Sequence, residues 1–209
     1  MIINIILVVL NLLLTGGIWW VIKKDNDFNL TPNKKEAILL ICGIIINNGF
    51  ILLLNYSLNS KIFMSIFLSY LLMSAYTDAK TKKVYFVPFF IMPIMIIGLS
   101  SFNFWGLFVF VIPIILGLLR LYGTGDIPLV SIIGCIIFLN NDTVINSILL
   151  ECIMLLIAEA IFLVIAIFQH NISKGKLKES KPLGPWIYIS TIFMLLIHSL
   201  GLAVNLPKT

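Results

Sequence analysis

The sequence predicts an all-α integral membrane protein, a polytopic bundle of about eight transmembrane helices. Three observations carry that expectation. Of the 209 residues, 60% are hydrophobic and 11% charged, a balance too apolar to furnish the polar surface of a soluble domain. Apolar runs of about 20 residues, the length that crosses a bilayer, recur along the chain. Most charges sit in short clusters between those runs, as loops at a membrane face would carry them.

Cutting at polar clusters and prolines places the spans at roughly 2–22, 37–55, 61–77, 85–100, 104–121, 127–140, 144–168 and 185–205. The first lacks a basic flank before it and a small-residue cleavage site after it, while Lys23 and Lys24 follow, so it reads as a retained anchor and not a signal peptide. The second follows the loop "KKDNDFNLTPNKKE" (Lys23 to Glu36), and the third ends in "YTDAKTKKVY" (Tyr76 to Tyr85). Spans 85–100 and 127–140 are short enough to be tilted or packed inside the bundle. "YGTGD" (Tyr122 to Asp126) joins the fifth span to the sixth, and "KESKPLGPW" (Lys178 to Trp186) precedes the eighth. No internal repeat is visible. The whole of 1–209 reads as a single membrane domain, with an N-terminal two-helix region and short cytoplasmic loop at 1–60 and a six-helix core at 61–209.

Charge orients these spans, because Lys and Arg beside span ends stay on the cytoplasmic side. With both termini outside, the inside loops collect Lys23, Lys24, Lys34, Lys35, Lys80, Lys82, Lys83, Arg120, Lys174, Lys176, Lys178 and Lys181; only Lys61 and Lys208 among the 14 basic residues remain outside. The net charge of +5 is then an asymmetry facing anionic lipid and gives no sign of nucleic acid binding.

All three polar motifs fall on that same inner face, and two of them carry an aspartate at the membrane boundary, Asp78 and Asp126. Two carboxylates that can meet are the minimum for aspartyl protease chemistry: like charges at close range cannot both ionise, so the pair holds one proton. The ionised member takes a proton from water while the protonated member polarises the scissile carbonyl. Gly123 and Gly125, lacking side chains, leave room beside Asp126 for an extended substrate strand.

Asp78 at a cytoplasmic helix end, "GTGD" at 123–126 and "KPLGP" at 181–185 together resemble the type IV prepilin peptidases, a bacterial branch of the GxGD intramembrane aspartyl proteases. The similarity covers the chain from about Lys61 onward. It implies that Asp78 and Asp126 are the catalytic pair of an aspartic endopeptidase that removes the basic leader of type IV prepilin or pseudopilin precursors. It implies further that the enzyme is multi-pass in the bacterial cytoplasmic membrane and works at its cytoplasmic face. Gly123, Gly125, Pro182, Gly184, Pro185 and Lys80 would then line the substrate or active-site loops. Pro185 suits the start of the last helix, where a missing N–H costs nothing.

Departures from the family pattern are specific. Lys80 matches the basic residue after the first aspartate and Val84 stands for the usual isoleucine, but Tyr85 replaces a proline, and Pro128 occupies the place of a common lysine. The first inside loop has no CxxC pairs; Cys42, Cys135 and Cys152 are isolated in apolar spans, so neither zinc nor a disulfide is expected. No cofactor is expected, S-adenosylmethionine entering only with a methyltransferase activity for which no residues can be named.

Other readings stay open from the residues alone. Asp78 and Asp126 as interfacial acids would pair with Lys80, Lys82 or Arg120. The glycines would suit a tight interhelical turn, and "PLGP" a helix stop and restart. A proton-coupled secondary transporter would relay through Asp78, Asp126, Glu151 and Glu159, and an inactive relative would bind prepilin helices as an assembly factor. Glu151 and Glu159 read as hydrogen-bonded bundle residues, and His198 with Asn47 and Asn48 as interhelical hydrogen-bonding groups.

Overall fold

The computed structural model describes residues 2–25, 31–53, 58–84 and 184–199, with isolated positions within 111–119 and 153–160. Four α-helices lie among them: α1 (Ile2–Lys24), α2 (Lys34–Leu53), α3 (Leu58–Thr81) and α4 (Gly184–Ser199). The first three are long and apolar enough to cross a membrane, matching the first three expected spans, and α4 coincides with the start of the eighth. Positions 111, 114, 115 and 118 are helical, as are 153, 157 and 160, and they fall within the expected spans 104–121 and 144–168. The spans 85–100 and 127–140 lie outside the described residues.

The helices are longer at their polar ends than their apolar runs. Helix α2 begins at Lys34 because Asn33 and Glu36 form a reciprocal cap: Asn33 Oδ1 accepts the Glu36 N–H at 2.9 Å, and Glu36 Oε2 accepts the Asn33 N–H at 3.1 Å. Helix α3 continues past the expected boundary at 77 through Asp78, Lys80 and Thr81. It stops at Lys82, whose φ of 56° is left-handed and whose N–H returns to the Asp78 carbonyl at 2.9 Å, the bond of an αL cap.

Helix α3 is the least apolar of the three long spans, yet 78% of its apolar window is buried, against 22% for each of α1 and α2. The inversion is what lipid solvation dictates, since a span rich in Ser, Thr and Tyr belongs against protein and the purely aliphatic faces belong against hydrocarbon. Accordingly Ile5, Ile6, Leu12 and Leu13 of α1 and Ile38, Leu39, Ile45 and Leu53 of α2 are exposed. Around α3, Phe63, Met64, Phe67, Leu68 and Tyr70 pack with Leu7, Phe50, Ile51 and Leu195 from the other three helices. Phe63 and Phe67 meet at 4.4 Å between ring centroids.

Polar contacts stitch this core. Asn11 of α1 donates to Ser69 Oγ at 2.9 Å and to the Ser65 carbonyl at 3.2 Å, and the Thr15 hydroxyl lies 3.1 Å from Ser69 Oγ. Ser65 and Ser69 also donate to carbonyls one turn back on α3, which satisfies two buried hydroxyls, and half-buried Thr81 does the same at the polar end. On the other side Asn47 of α2 donates to the Leu68 carbonyl at 3.0 Å, and Tyr188 of α4 donates to Asn47 Oδ1 at 2.8 Å. Asn47 is thus the interhelical group its sequence position suggested.

Gly43 lets α2 approach α3, because a Cβ built there would stand 2.5 Å from a Leu72 methyl carbon. Leu72 is itself buried with Ile22, Leu40 and Met73, so it has little room to yield. Gly43→Val is expected to lower stability by about 1–3 kcal/mol, whereas Gly16→Ala, with nothing within 4 Å of its added carbon, should be neutral or gain up to about 1 kcal/mol of helix propensity. Thermal unfolding in detergent micelles distinguishes the two; equal losses would mean that Gly43 is not a contact point.

Candidate functional site

Four helix ends gather at one end of the bundle: the C-termini of α1 and α3 and the N-termini of α2 and α4. Trp19 near the end of α1 stacks on Tyr76 of α3, 5.7 Å between centroids and 22° between planes. Lys80 of α3 reaches Glu36 in the first turn of α2 at 2.7 Å, and Asp78 of α3 reaches Gly184 at the start of α4. Lys23, Lys24, Lys34, Lys35, Lys82 and Lys83 belong to the same end, and Lys24 lies over the exposed Trp20 ring at 3.6 Å, an arrangement suited to an interfacial belt.

Asp78 occupies the last turn of α3 and is 7% exposed. The chain around it is buried too: Thr77 donates to the Ser74 carbonyl at 3.0 Å, Val84 is buried just beyond the cap, and Ile187 and Ser190 are buried on α4. The carboxylate oxygen Oδ2 accepts the Gly184 N–H at 2.7 Å. That N–H belongs to the first turn of α4, where no intrahelical acceptor exists, so the contact satisfies an orphan donor and sets a carboxylate at the positive end of a helix. Pro185 follows in the same turn, where a missing N–H breaks no helical bond.

This hydrogen bond joins two motifs 106 positions apart in the chain, the first expected catalytic aspartate and the glycine of "PLGP". Asp126, Gly123, Gly125 and Pro182 lie outside the described residues, as do Arg120, Glu151 and Glu159.

Lys80 takes a different direction. Two residues beyond Asp78, it projects from the opposite side of the helix. Its ammonium donates to Glu36 Oε2, to the Thr31 carbonyl and, at 3.4 Å, to the Tyr76 hydroxyl. Tyr76 in turn donates to Glu36 Oε2 at 3.1 Å. An ammonium has three donors, and three acceptors are present. Among the described residues Asp78 has no ion-pair partner, so pairing with Lys80, one of the alternatives open from the sequence, is not what the structure contains. Glu36 was the residue that sequence reasoning passed over; the signal available was its place three positions after Asn33, in a capping box beside the membrane face.

Among the described residues no group of three or more His, Cys, Asp and Glu side chains is placed to hold a metal, and Cys42 is an exposed free thiol. No family model, curated protein or solved structure matches the chain.

Removing the acceptor at Asp78 strands a buried N–H. Asp78→Leu is therefore expected to cost about 1–3 kcal/mol of stability, while Asp78→Asn, whose Oδ1 still accepts, should unfold within a few degrees of wild type. Thermal melts in micelles test the pair; equal, near-zero effects would deny the carboxylate its structural contact.

Proposed function

We propose that the protein is a prepilin-peptidase-like aspartyl endopeptidase of the bacterial cytoplasmic membrane, working at the cytoplasmic face with both termini outside. The observation that carries this reading is the hydrogen bond between Asp78 and Gly184, because it brings together two of the three motifs on which the resemblance rests. Supporting it, the four helix ends at that pole include every lysine-rich cluster among the described residues, and Lys61 begins the opposite end of α3.

In this mechanism Asp78 and Asp126 share one proton. Oδ2 of Asp78 is fixed by the Gly184 N–H, which leaves Oδ1 as the oxygen that addresses the water. The ionised carboxylate removes a proton from that water as its oxygen attacks the carbonyl of the leader's last residue, and the protonated partner donates to the carbonyl oxygen. Collapse of the tetrahedral adduct breaks the C–N bond, and the amine leaves with a proton returned by the dyad. Gly123 and Gly125 let the extended strand lie close to Asp126. The substrate is a membrane-anchored precursor whose apolar helix docks against the bundle and whose basic leader docks among acids at the cytoplasmic mouth. Zinc and S-adenosylmethionine have no part in the cycle.

Purified protein in lipid, given a type IV prepilin-like precursor, is expected to cut after the leader glycine. Asp78→Asn and Asp126→Asn should each lower the rate by at least about 10³-fold, the scale of losing a positioned acid or base in a unit that acts together. Cleavage that survives either change would assign the wrong aspartates; binding of the precursor without cleavage by wild type would favour the assembly-factor alternative that Pro128 keeps open.

A further inference from the structure

The last turn of α3 is held from two sides. On one side Asp78 binds Gly184 of α4. On the other, Tyr76 and Lys80, one turn apart and therefore on one face, both bind Glu36 of α2. The Trp19 ring of α1 stacks on Tyr76, closing that face. Rotation of the turn about the helix axis, which would swing Asp78 away from α4, is opposed only if both sides hold. The turn needs such support, since α3 ends at Thr81 and the next residue, Lys82, is left-handed, a conformation a residue with a Cβ adopts at some cost.

Glu36 is built for this load. Oε1 accepts from Asn33 Nδ2 at 3.1 Å, and Oε2 accepts from the Asn33 N–H, Tyr76 and Lys80. Its carboxylate is thus anchored to its own helix before it grips α3. Lys80, with the Thr31 carbonyl as third acceptor, ties the segment ahead of α2 into the same cluster. We infer that Glu36 is a positioning residue: through Lys80 and Tyr76 it fixes the rotation of the α3 terminus and so holds the Asp78 carboxylate against Gly184. The catalytic meaning of that role rests on the protease reading, but the geometry does not.

Two changes separate this role from the capping of α2. Glu36→Gln keeps a capping-box residue at its position while losing the charge that holds Lys80. Lys80→Met leaves the α2 cap intact altogether and removes the grip. Lys80→Arg retains a cation with several donors. The readout is amide exchange of Gly184 in the full chain, labelled with ¹⁵N-glycine in micelles, with Gly43 in the middle of α2 as the internal reference for an intact bundle. Exchange at Gly184 should rise about tenfold or more in Glu36→Gln and Lys80→Met, stay near wild type in Lys80→Arg, and remain unchanged at Gly43 in all three, as expected of a local opening. Gly184 protection that is unaffected by both disruptive changes, or lost only in step with Gly43, overturns the proposal. With a cleavable precursor the same two variants should lose rate about ten- to a hundredfold with KM little changed, the mark of a displaced reacting group; a wild type that cuts nothing would count against the protease reading and would leave the exchange result standing.

Discussion

A hydroxyl or amide lodged in hydrocarbon must find its partner within the protein, and each one left alone costs several kcal/mol. Helix α3 concentrates this requirement. Ser65 and Ser69 meet Asn11 and Thr15 of α1, the Leu68 carbonyl meets Asn47 of α2, and Asn47 meets Tyr188 of α4. The aliphatic surface supplies little direction to this assembly, because lipid tails solvate leucine as well as another helix does. Directed bonds therefore choose which face of each helix turns inward, and packing of Phe63, Phe67 and Tyr70 fills the space so defined.

The same logic reaches the polar end of the bundle, where water begins and charges become affordable. There Tyr76 and Lys80 occupy one side of α3 and Asp78 the other, so the helix separates a satisfied ion pair from a buried carboxylate. Among the described residues Asp78 accepts one backbone N–H, that of Gly184 at a helix terminus. A carboxylate bound by an arginine fork would be locked in its charged form; a backbone N–H on one oxygen leaves the other able to exchange a proton, which the acid–base work proposed for Asp78 demands.

Much of this organisation was legible beforehand. Apolar length placed α1, α2 and α3 to within a few residues, and the lysine distribution anticipated that Asp78 shares one end with Gly184 and Pro185. Periodicity did not reveal that, among the described helices, the least apolar of the long spans is the most buried, since hydropathy ranks spans by their affinity for lipid and says nothing of which has neighbours around it. The extension of α3 through Thr81 was hidden because a helix end at a membrane surface is polar by necessity and resembles a loop. Lys80 beside Asp78 in sequence suggested proximity, yet a two-residue step on a helix sends the side chains apart. Its partner, Glu36, is 44 positions away, and no local pattern could join them.

The dependence of α3 on its neighbours bears on biogenesis. As the chain emerges, α1 and α2 can partition into the bilayer on their own apolar surfaces, but α3 carries Ser65, Ser69, Ser74, Thr77 and Asp78, all buried in the folded bundle, and would hold them poorly among acyl chains alone. Asn11, Thr15 and Asn47 precede it in synthesis, so the groups that pair with α3 are made before it. An N-terminal hairpin that inserts first would thereby present partners to the segment that bears Asp78, making the order of translation part of how that turn is assembled.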